Sequence, residues 1–222
     1  EIRLNTFVNE IHSRDQSVYG VSTGHSTDIE LFDAIICTTP SHIFANLVKN
    51  IDQDFSNSLH KVKYMAAVLL ILVLNQSFME YYWMNVADQD MPFVGLIEHT
   101  NLIPPLNYGG KTILYVSNYI NDTDAMYTAT KTELLNEYIP HLLKINKEFK
   151  ETWITESFHQ KVPDAQPIVE RNYSSKIAPH KTDIKNLFLA NTSQIYPEDR
   201  GTNYGVRMSR SVTKILSENN RF

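Results

Sequence analysis

Residues 186–216, NLFLANTSQIYPEDRGTNYGVRMSRSVTKIL, decide how the chain is read. Leu187-Phe188-Leu189-Ala190 is a short apolar run of strand type. A polar loop follows, carrying the charged triplet Glu198-Asp199-Arg200, and then Val206, Val212, Ile215 and Leu216 give a helix an inward stripe. Thr202 and Asn203 are both good N-caps for that helix. The chain has only 7 glycines in 222 residues, yet Gly201 and Gly205 stand around this helix start. A helix N-terminus exposes unpaired N–H groups and about half a unit of positive charge, so it attracts electron-rich oxygens. At Gly205 no Cβ stands between such a ligand and the backbone. Strand, loop and capped helix also occur with no ligand, and the charged triplet reads equally well as a solvated turn.

Composition sets the bounds around this stretch. With 42% hydrophobic and 11% aromatic residues, the chain can bury a sizeable core in one large domain or two small ones. Twenty basic residues against 25 acidic give a formal charge of -5, and no basic tract suits a phosphate backbone, so nucleic acid is not an expected partner. The single cysteine, Cys37, excludes an intramolecular disulfide and a cysteine-cluster metal site; it reads as strand packing, and a cytoplasmic location is expected. Of the eight histidines, the nearest pairs, His12 with His25 and His42 with His60, lack helix-borne metal spacing, and no metal is expected. The longest apolar run, residues 65–74, is about half of what a membrane-spanning helix needs. It reads as a buried strand, and no transmembrane segment is expected.

Along the chain, Ile2, Leu4, Val8, Ile11, Val18, Val21, Ile29 and Leu31 alternate with polar residues and predict three or four strands, with polar turns at 13–16 and 22–27. Ala34-Ile35-Ile36-Cys37 is apolar on both faces, as in a central covered strand, and Thr38-Thr39-Pro40 ends it. A helix is expected over 41–49 with Ser41 as its cap, and a short helical turn over 55–60. Strands over 63–75, 81–86, 93–99 and 112–119 read as an antiparallel sheet. One helix should run from Thr123 or Asp124 to about residue 144, with a kink or break at Ile139-Pro140. A strand over 153–158 and an extended connection over 163–179 follow. Tyr64, Tyr81, Tyr82, Trp83, Tyr115 and Tyr119 fall on the middle sheet, where they either line a pocket or serve as core and cover. Lys63 and Arg171 are cations that nothing in the sequence singles out. The β-rich ends and the separate body between them predict one domain interrupted by another.

Three segments carry a family resemblance. VNEIHSRDQSVYGVSTGHSTDIELFDAIICTTP (8–40) resembles the hairpin and following strand of flavin-containing amine oxidases, protoporphyrinogen oxidases and phytoene desaturases. NLFLANTSQIYPEDRGTNYGVRMSRSV (186–212) is similar to the closing signature of that superfamily, and VPDAQPIVERNY (162–173) to its connection back from the substrate domain. The resemblance implies an α+β or α/β fold, a substrate-binding antiparallel sheet with helices inserted in an incomplete, Rossmann-like FAD-binding domain. Residues 1–40 and 184–222 would be the FAD-binding remnants and 41–183 the substrate-binding domain. Val8 would meet the adenine side of FAD through its backbone, and Thr39 and Pro40, which end the strand over 34–37, are further cofactor-binding candidates. Asn191 and Thr192 stand where the family has Gly-Asp, and Arg200, Gly201, Asn203 and Val206 belong to the loop and helix start at the cofactor. Gly205 would offer its amide to the isoalloxazine O2; Tyr204 replaces the preceding glycine, and Met208 and Ser209 replace Ser-Gly.

The G-x-G-x-x-G run that holds the pyrophosphate in such proteins is absent from this sequence. In the family it lies far upstream of the segment resembling residues 1–40, so the chain is expected to be an N-terminally truncated part of a longer protein. FAD is then the cofactor of the complete protein, with weak or no binding by this chain alone. The complete protein would pass a hydride from a C–N or C–C bond of a small-molecule substrate to flavin, and no residue here is assigned as catalytic. Two other readings stay open: a flavoprotein like UDP-galactopyranose mutase, and a non-catalytic binding or assembly module of the same shape. Association into an oligomer is also left open.

Overall fold

The computed structural model describes residues 1–24, 26 and 28–219. The expected turn over 22–27 includes His25 and Thr27, which lie outside the described residues. The chain divides into two compact units, one made of Glu1–Lys63 with Pro167–Phe222 and the other of Tyr64–Gln166. The interruption is therefore narrower than the 41–183 body expected from sequence. Residues 41–63 and 167–183 belong to the first unit because Phe44, Ala45, Val48, Leu59 and Ala178 pack into one core with Ile11, Val18, Leu187 and Leu189.

The first unit opens with strand β1 (Val8–Arg14) and strand β2 (Ser17–Thr23), paired antiparallel. Asp15 and Gln16 join them with φ of 50° and 58°, the double positive φ of a tight two-residue hairpin turn. Strand β3 (Glu30–Leu31) adds to β2. Strand β4 (Ile35–Cys37) leads to helix α1 (Ser41–Val48). Ser41 does not cap α1: Pro40 is the N-cap residue, with no side-chain cap, and Ser41 is buried inside the first turn. Helix α2 (Gln53–Leu59) is capped by Asp52, whose carboxylate accepts from the Phe55 N–H at 2.9 Å.

The second unit is a five-stranded sheet, ordered β6-β7-β8-β5-β9, made of β5 (Tyr64–Leu74), β6 (Trp83–Asn85), β7 (Gly95–Glu98), β8 (Thr112–Ile120) and β9 (Ile154–Pro167). Antiparallel pairing sets Trp83 opposite Ile97, and Tyr115 opposite both Ile97 and Ile71. Strand alternation sends Val68, Leu70, Leu72, Leu74, Leu114 and Val116 to the buried face. Short helix α3 (Ala125–Thr128) and helix α4 (Lys131–Ile145) precede β9, and Leu134, Tyr138 and Leu142 of α4 enter the same core. The single helix expected over 123–144 is thus two. Thr130 and Glu133 form a capping box that starts α4 afresh. Of the two alternatives at Pro140 the break does not occur, since α4 continues through it. Pro140 and Asn136 are both exposed, so the carbonyl deprived of its partner by proline faces water. Strand β9 outruns the expected 153–158 and takes in the start of the extended connection.

Back in the first unit, strand β10 (Leu187–Leu189) pairs parallel with β4, Leu189 opposite Cys37, and helix α5 (Thr202–Asn219) follows. Phe188 and Ala190 pack with Val212 of α5 in a second, smaller core. Strand β4 is not covered on both faces: Cys37 is 7% exposed and Ile36 42%. Alternation turns Ile35 and Cys37 toward the main core of this unit and leaves Ile36 on a face that no described element covers fully. The molecule is mixed α/β with antiparallel sheets and one short parallel pair. Among the described residues, no helix is long and apolar enough to cross a membrane.

Candidate functional site

The parallel pair β4 and β10 places Thr39-Pro40 and Asn191-Thr192 side by side. The Ala190 N–H donates to the Cys37 carbonyl at 2.9 Å and carries the ladder one step past the strand. Beyond that point the chains diverge, one into α1 and the other into the 3-10 turn Thr192–Gln194. Divergence beyond the carboxyl ends of neighbouring parallel strands is where α/β sheets commonly receive ligands.

Asn191, 5% exposed, fastens this junction. Its Nδ2 donates to the Thr39 carbonyl at 2.9 Å and to Ser41 Oγ at 3.2 Å. Its Oδ1 accepts from the Ser193 N–H at 3.1 Å and from Ser193 Oγ at 2.6 Å. Both amide hydrogens and two acceptor positions are therefore engaged within the chain. The Asn191 N–H donates to Gln194 Oε1 at 2.9 Å, and Tyr173 OH donates to the Ser193 carbonyl at 2.7 Å. A buried polar network satisfied in this way fixes the loop geometry. Thr192, next along, is exposed, and Thr39 is half-buried.

The start of α5 is open. The Tyr204 and Gly205 N–H groups both donate to the Gly201 carbonyl, at 3.0 and 3.2 Å, which closes the first turn, so the Gly205 amide is engaged within the helix rather than offered to a ligand as expected from sequence. Asn203 Oδ1 lies 2.5 Å from where a Cβ on Gly201 would stand, so glycine there makes room for the folded-back amide. Beyond the flanking residues and the helix's own backbone, no described atom comes within 4 Å of a Cβ placed on Gly205, and Val206 is 47% exposed. Thr202 and Asn203 are exposed, while Arg200 is half-buried. Tyr204 is engaged from below by the Arg207 guanidinium, 4.9 Å from its ring centroid. Arg207 Nη2 also donates to Glu198 Oε1 at 2.6 Å, and that hydrogen bond holds the Glu198 carboxyl below the usual carboxylate range. The cavity among Tyr196, Tyr204 and Arg207 is only about 150 Å³, well below the volume of a typical ligand pocket, so a ring system at this helix start would rest on its open side.

The residues singled out from sequence thus fall into two local groups, Thr39, Pro40, Asn191 and Thr192 at the strand ends, and Arg200 to Val206 at the helix start. Val8 stands opposite Thr23 at the outer end of the β1–β2 hairpin. Cys37 is buried, and burial pushes its thiol up, away from the nucleophilic form. In the second unit Tyr81 and Trp83 are well exposed, and Tyr115 packs edge-on against His99. Ser193 and Tyr173, which sequence reasoning does not single out, and Ser41, which it reads only as a helix cap, complete the Asn191 network. Ser41 and Ser193 are 152 positions apart with hydroxyls 3.1 Å apart, a proximity that no local pattern encodes.

This fold has solved counterparts. A protein assigned as a protoporphyrinogen oxidase from Exiguobacterium sp. 255-15 is 16% identical with a TM-score of 0.71, the likeness covering 99% of this chain and 47% of that one. An oxidoreductase from Methanosarcina mazei is 16% identical with a TM-score of 0.69, over 96% and 49%. A putrescine oxidase with bound putrescine is 10% identical with a TM-score of 0.68, again over 96% and 49%. At these identities the likeness establishes a shared fold, and the chain spans about half the length of the proteins it matches. No protein-family model and no curated protein matches the sequence.

Proposed function

We propose that the chain supplies the second half of a flavin-dependent oxidoreductase, its first unit completing the FAD-binding domain and its second forming the substrate-binding domain. The observation that carries this reading is the extent of the fold likeness, 99% of this chain against 47% of the neighbour. The exposed helix start around Gly205 supports it, as does the strand-end junction at Asn191. When bound, FAD supplies the hydride acceptor, for a hydride from a C–N or C–C bond of a small-molecule substrate. The chain's own residues bind and orient. Thr202 and Asn203 present the open end of α5, with its partial positive charge, to the electron-rich edge of the ring, and Gly205, its own N–H committed to the Gly201 carbonyl, leaves the space beside them clear. Asn191 acts through Thr39 and Ser193, holding the two strand ends in register, and Thr192 offers an exposed hydroxyl beside them. The residues present fit one end of the cofactor. The sequence carries no G-x-G-x-x-G for the pyrophosphate, so the isolated chain is expected to bind FAD weakly.

Flavin absorbance and fluorescence quenching test the reading. The purified chain should titrate weakly with FAD and should acquire stoichiometric flavin when co-produced with the polypeptide encoded ahead of it. In that complex, Gly205→Leu is expected to weaken FAD at least about tenfold by placing a side chain in the open space. The same substitution should raise thermal stability slightly, since leucine is the better helix former by roughly 0.5–1 kcal/mol. Stoichiometric FAD on the isolated chain, or an indifferent Gly205→Leu complex, overturns the proposal.

A further inference from the structure

We propose that the first unit carries a second ligand site, a cationic cavity for a hydroxylated phosphate monoester, whose charged residues have no part in the flavin reading. The cavity has a volume of about 590 Å³, within the usual range for small-molecule sites. Its walls come from the end of α2 and from two segments locked together, since the Ile168 N–H donates to the Lys63 carbonyl at 2.9 Å. Tyr173, 6% exposed and anchored by its hydroxyl to Ser193, lines it as a fixed wall. The mouth is shaped before any ligand arrives.

Its charge is unbalanced. Lys61, Lys63 and Lys176 line the cavity with a single carboxylate, Glu170. Glu170 holds Lys176 Nζ at 2.6 Å and Lys63 Nζ at 3.9 Å, and the Lys176 bond keeps its carboxyl below the ordinary range. Lys61 has no ion pair among the described residues. Three ammonium groups therefore share one negative charge, on a chain whose formal charge is -5. Such a local excess attracts an anion of more than one charge. The hydroxyls narrow the class. Ser58 Oγ donates to the Phe55 carbonyl at 2.7 Å and Ser175 Oγ to the Asn172 carbonyl at 2.8 Å. Their hydrogens are committed and their oxygens remain acceptors, which suits a ligand that brings its own hydroxyl donors. Val62 and Ile168 supply apolar contact for the carbon skeleton. A phosphate head with a hydroxylated body satisfies all three features. Glu170 occupies the lysines until the ligand displaces it.

Titration calorimetry and amide chemical shifts on the chain, with inorganic phosphate, ribose and ribose 5-phosphate as probes at low salt, test this site. Ribose 5-phosphate should bind more tightly than phosphate and ribose should not bind, with affinity falling as salt rises. Lys61→Ala and Lys176→Ala should each weaken ribose 5-phosphate by about tenfold, whereas Glu170→Gln should tighten it by about threefold. The opposite signs separate a site from a solvated charged patch, and because these ion pairs are exposed the variants should keep the fold. No binding of either phosphate, unchanged affinity in the lysine variants, or weaker binding by Glu170→Gln overturns the proposal.

Discussion

Glu98→Ala is expected to destabilise the second unit by about 3 kcal/mol, measured as a lower midpoint in urea with the slope unchanged. Glu98 is 1% exposed, an environment that penalises a carboxylate unless hydrogen bonds replace its water. Ser77 Oγ donates to one of its oxygens at 2.7 Å, and the Phe78 and Met79 N–H groups donate to the other at 2.9 and 2.7 Å. No cation pairs with Glu98 among the described residues, so these donors carry the stabilisation. Truncation to alanine leaves two backbone donors without a partner in a dry site, each costing about 1–3 kcal/mol. Asn146 and Asn101 grip the same turn from its carbonyl side, Asn146 Nδ2 donating to Phe78 at 2.8 Å and Asn101 Nδ2 to Met79 at 2.8 Å and Tyr81 at 3.0 Å. Glu98→Gln should cost only about 1 kcal/mol, because its amide oxygen still accepts from the backbone and its NH2 can donate to Ser77. The turn leads directly into Tyr81, Tyr82 and Trp83, so Trp83 fluorescence in Glu98→Ala should report a loosened segment before global unfolding. A loss below about 1 kcal/mol for alanine, or equal losses for alanine and glutamine, contradicts the clamp.

The sheet holding Glu98 was legible in the sequence where one physical signal dominated. Apolar residues with strand propensity filled 63–75 and 112–119, and β5 and β8 occupy nearly those spans because both strands give a full face to the core. The helix start at α4 was equally present, since Thr130 and Glu133 have capping-box spacing, but the apolar stripe running across it masked the boundary. Other features depend on what lies across from a segment. The apolar stripe of α1 states that it must pack, not which core receives it, and so the boundary between the units could not be read from 41–63. Ile36 shows the converse, an apolar residue on a strand whose second face stays 42% exposed. At the candidate site, strand β10 and helix α5 follow from local pattern. The role of Asn191 does not, because its partners Thr39 and Ser41 lie about 150 positions away and meet it only once β4 and β10 are parallel.

That dependence makes Asn191→Asp the sharper probe of the first unit, with an expected loss of about 3 kcal/mol at neutral pH. The change is isosteric, so packing is kept while the Nδ2 donor is lost. An ionised aspartate would turn an acceptor toward the Thr39 carbonyl, 2.9 Å away in the parent, and would retain only the two donors from Ser193. Burial and the facing carbonyl both disfavour the ionised form, so the folded-state pKa of the introduced carboxyl should lie above its unfolded value of about 4. The sign of the pH dependence follows. Below the unfolded value both states carry the proton, the protonated oxygen can donate to Thr39, and most of the loss should vanish. As pH rises through the folded value, unfolding releases a proton and the full destabilisation returns. Thr192→Asp, one position on, provides the contrast, since Thr192 is exposed and its change should stay within about 0.5 kcal/mol at any pH. If Asn191 were merely a polar residue beside a ligand space, the two aspartates would behave alike. A pH-dependent loss confined to position 191 places the hydrogen-bonding demand in the protein itself, and makes the junction of β4 and β10 a rigid platform whose shape does not await a ligand.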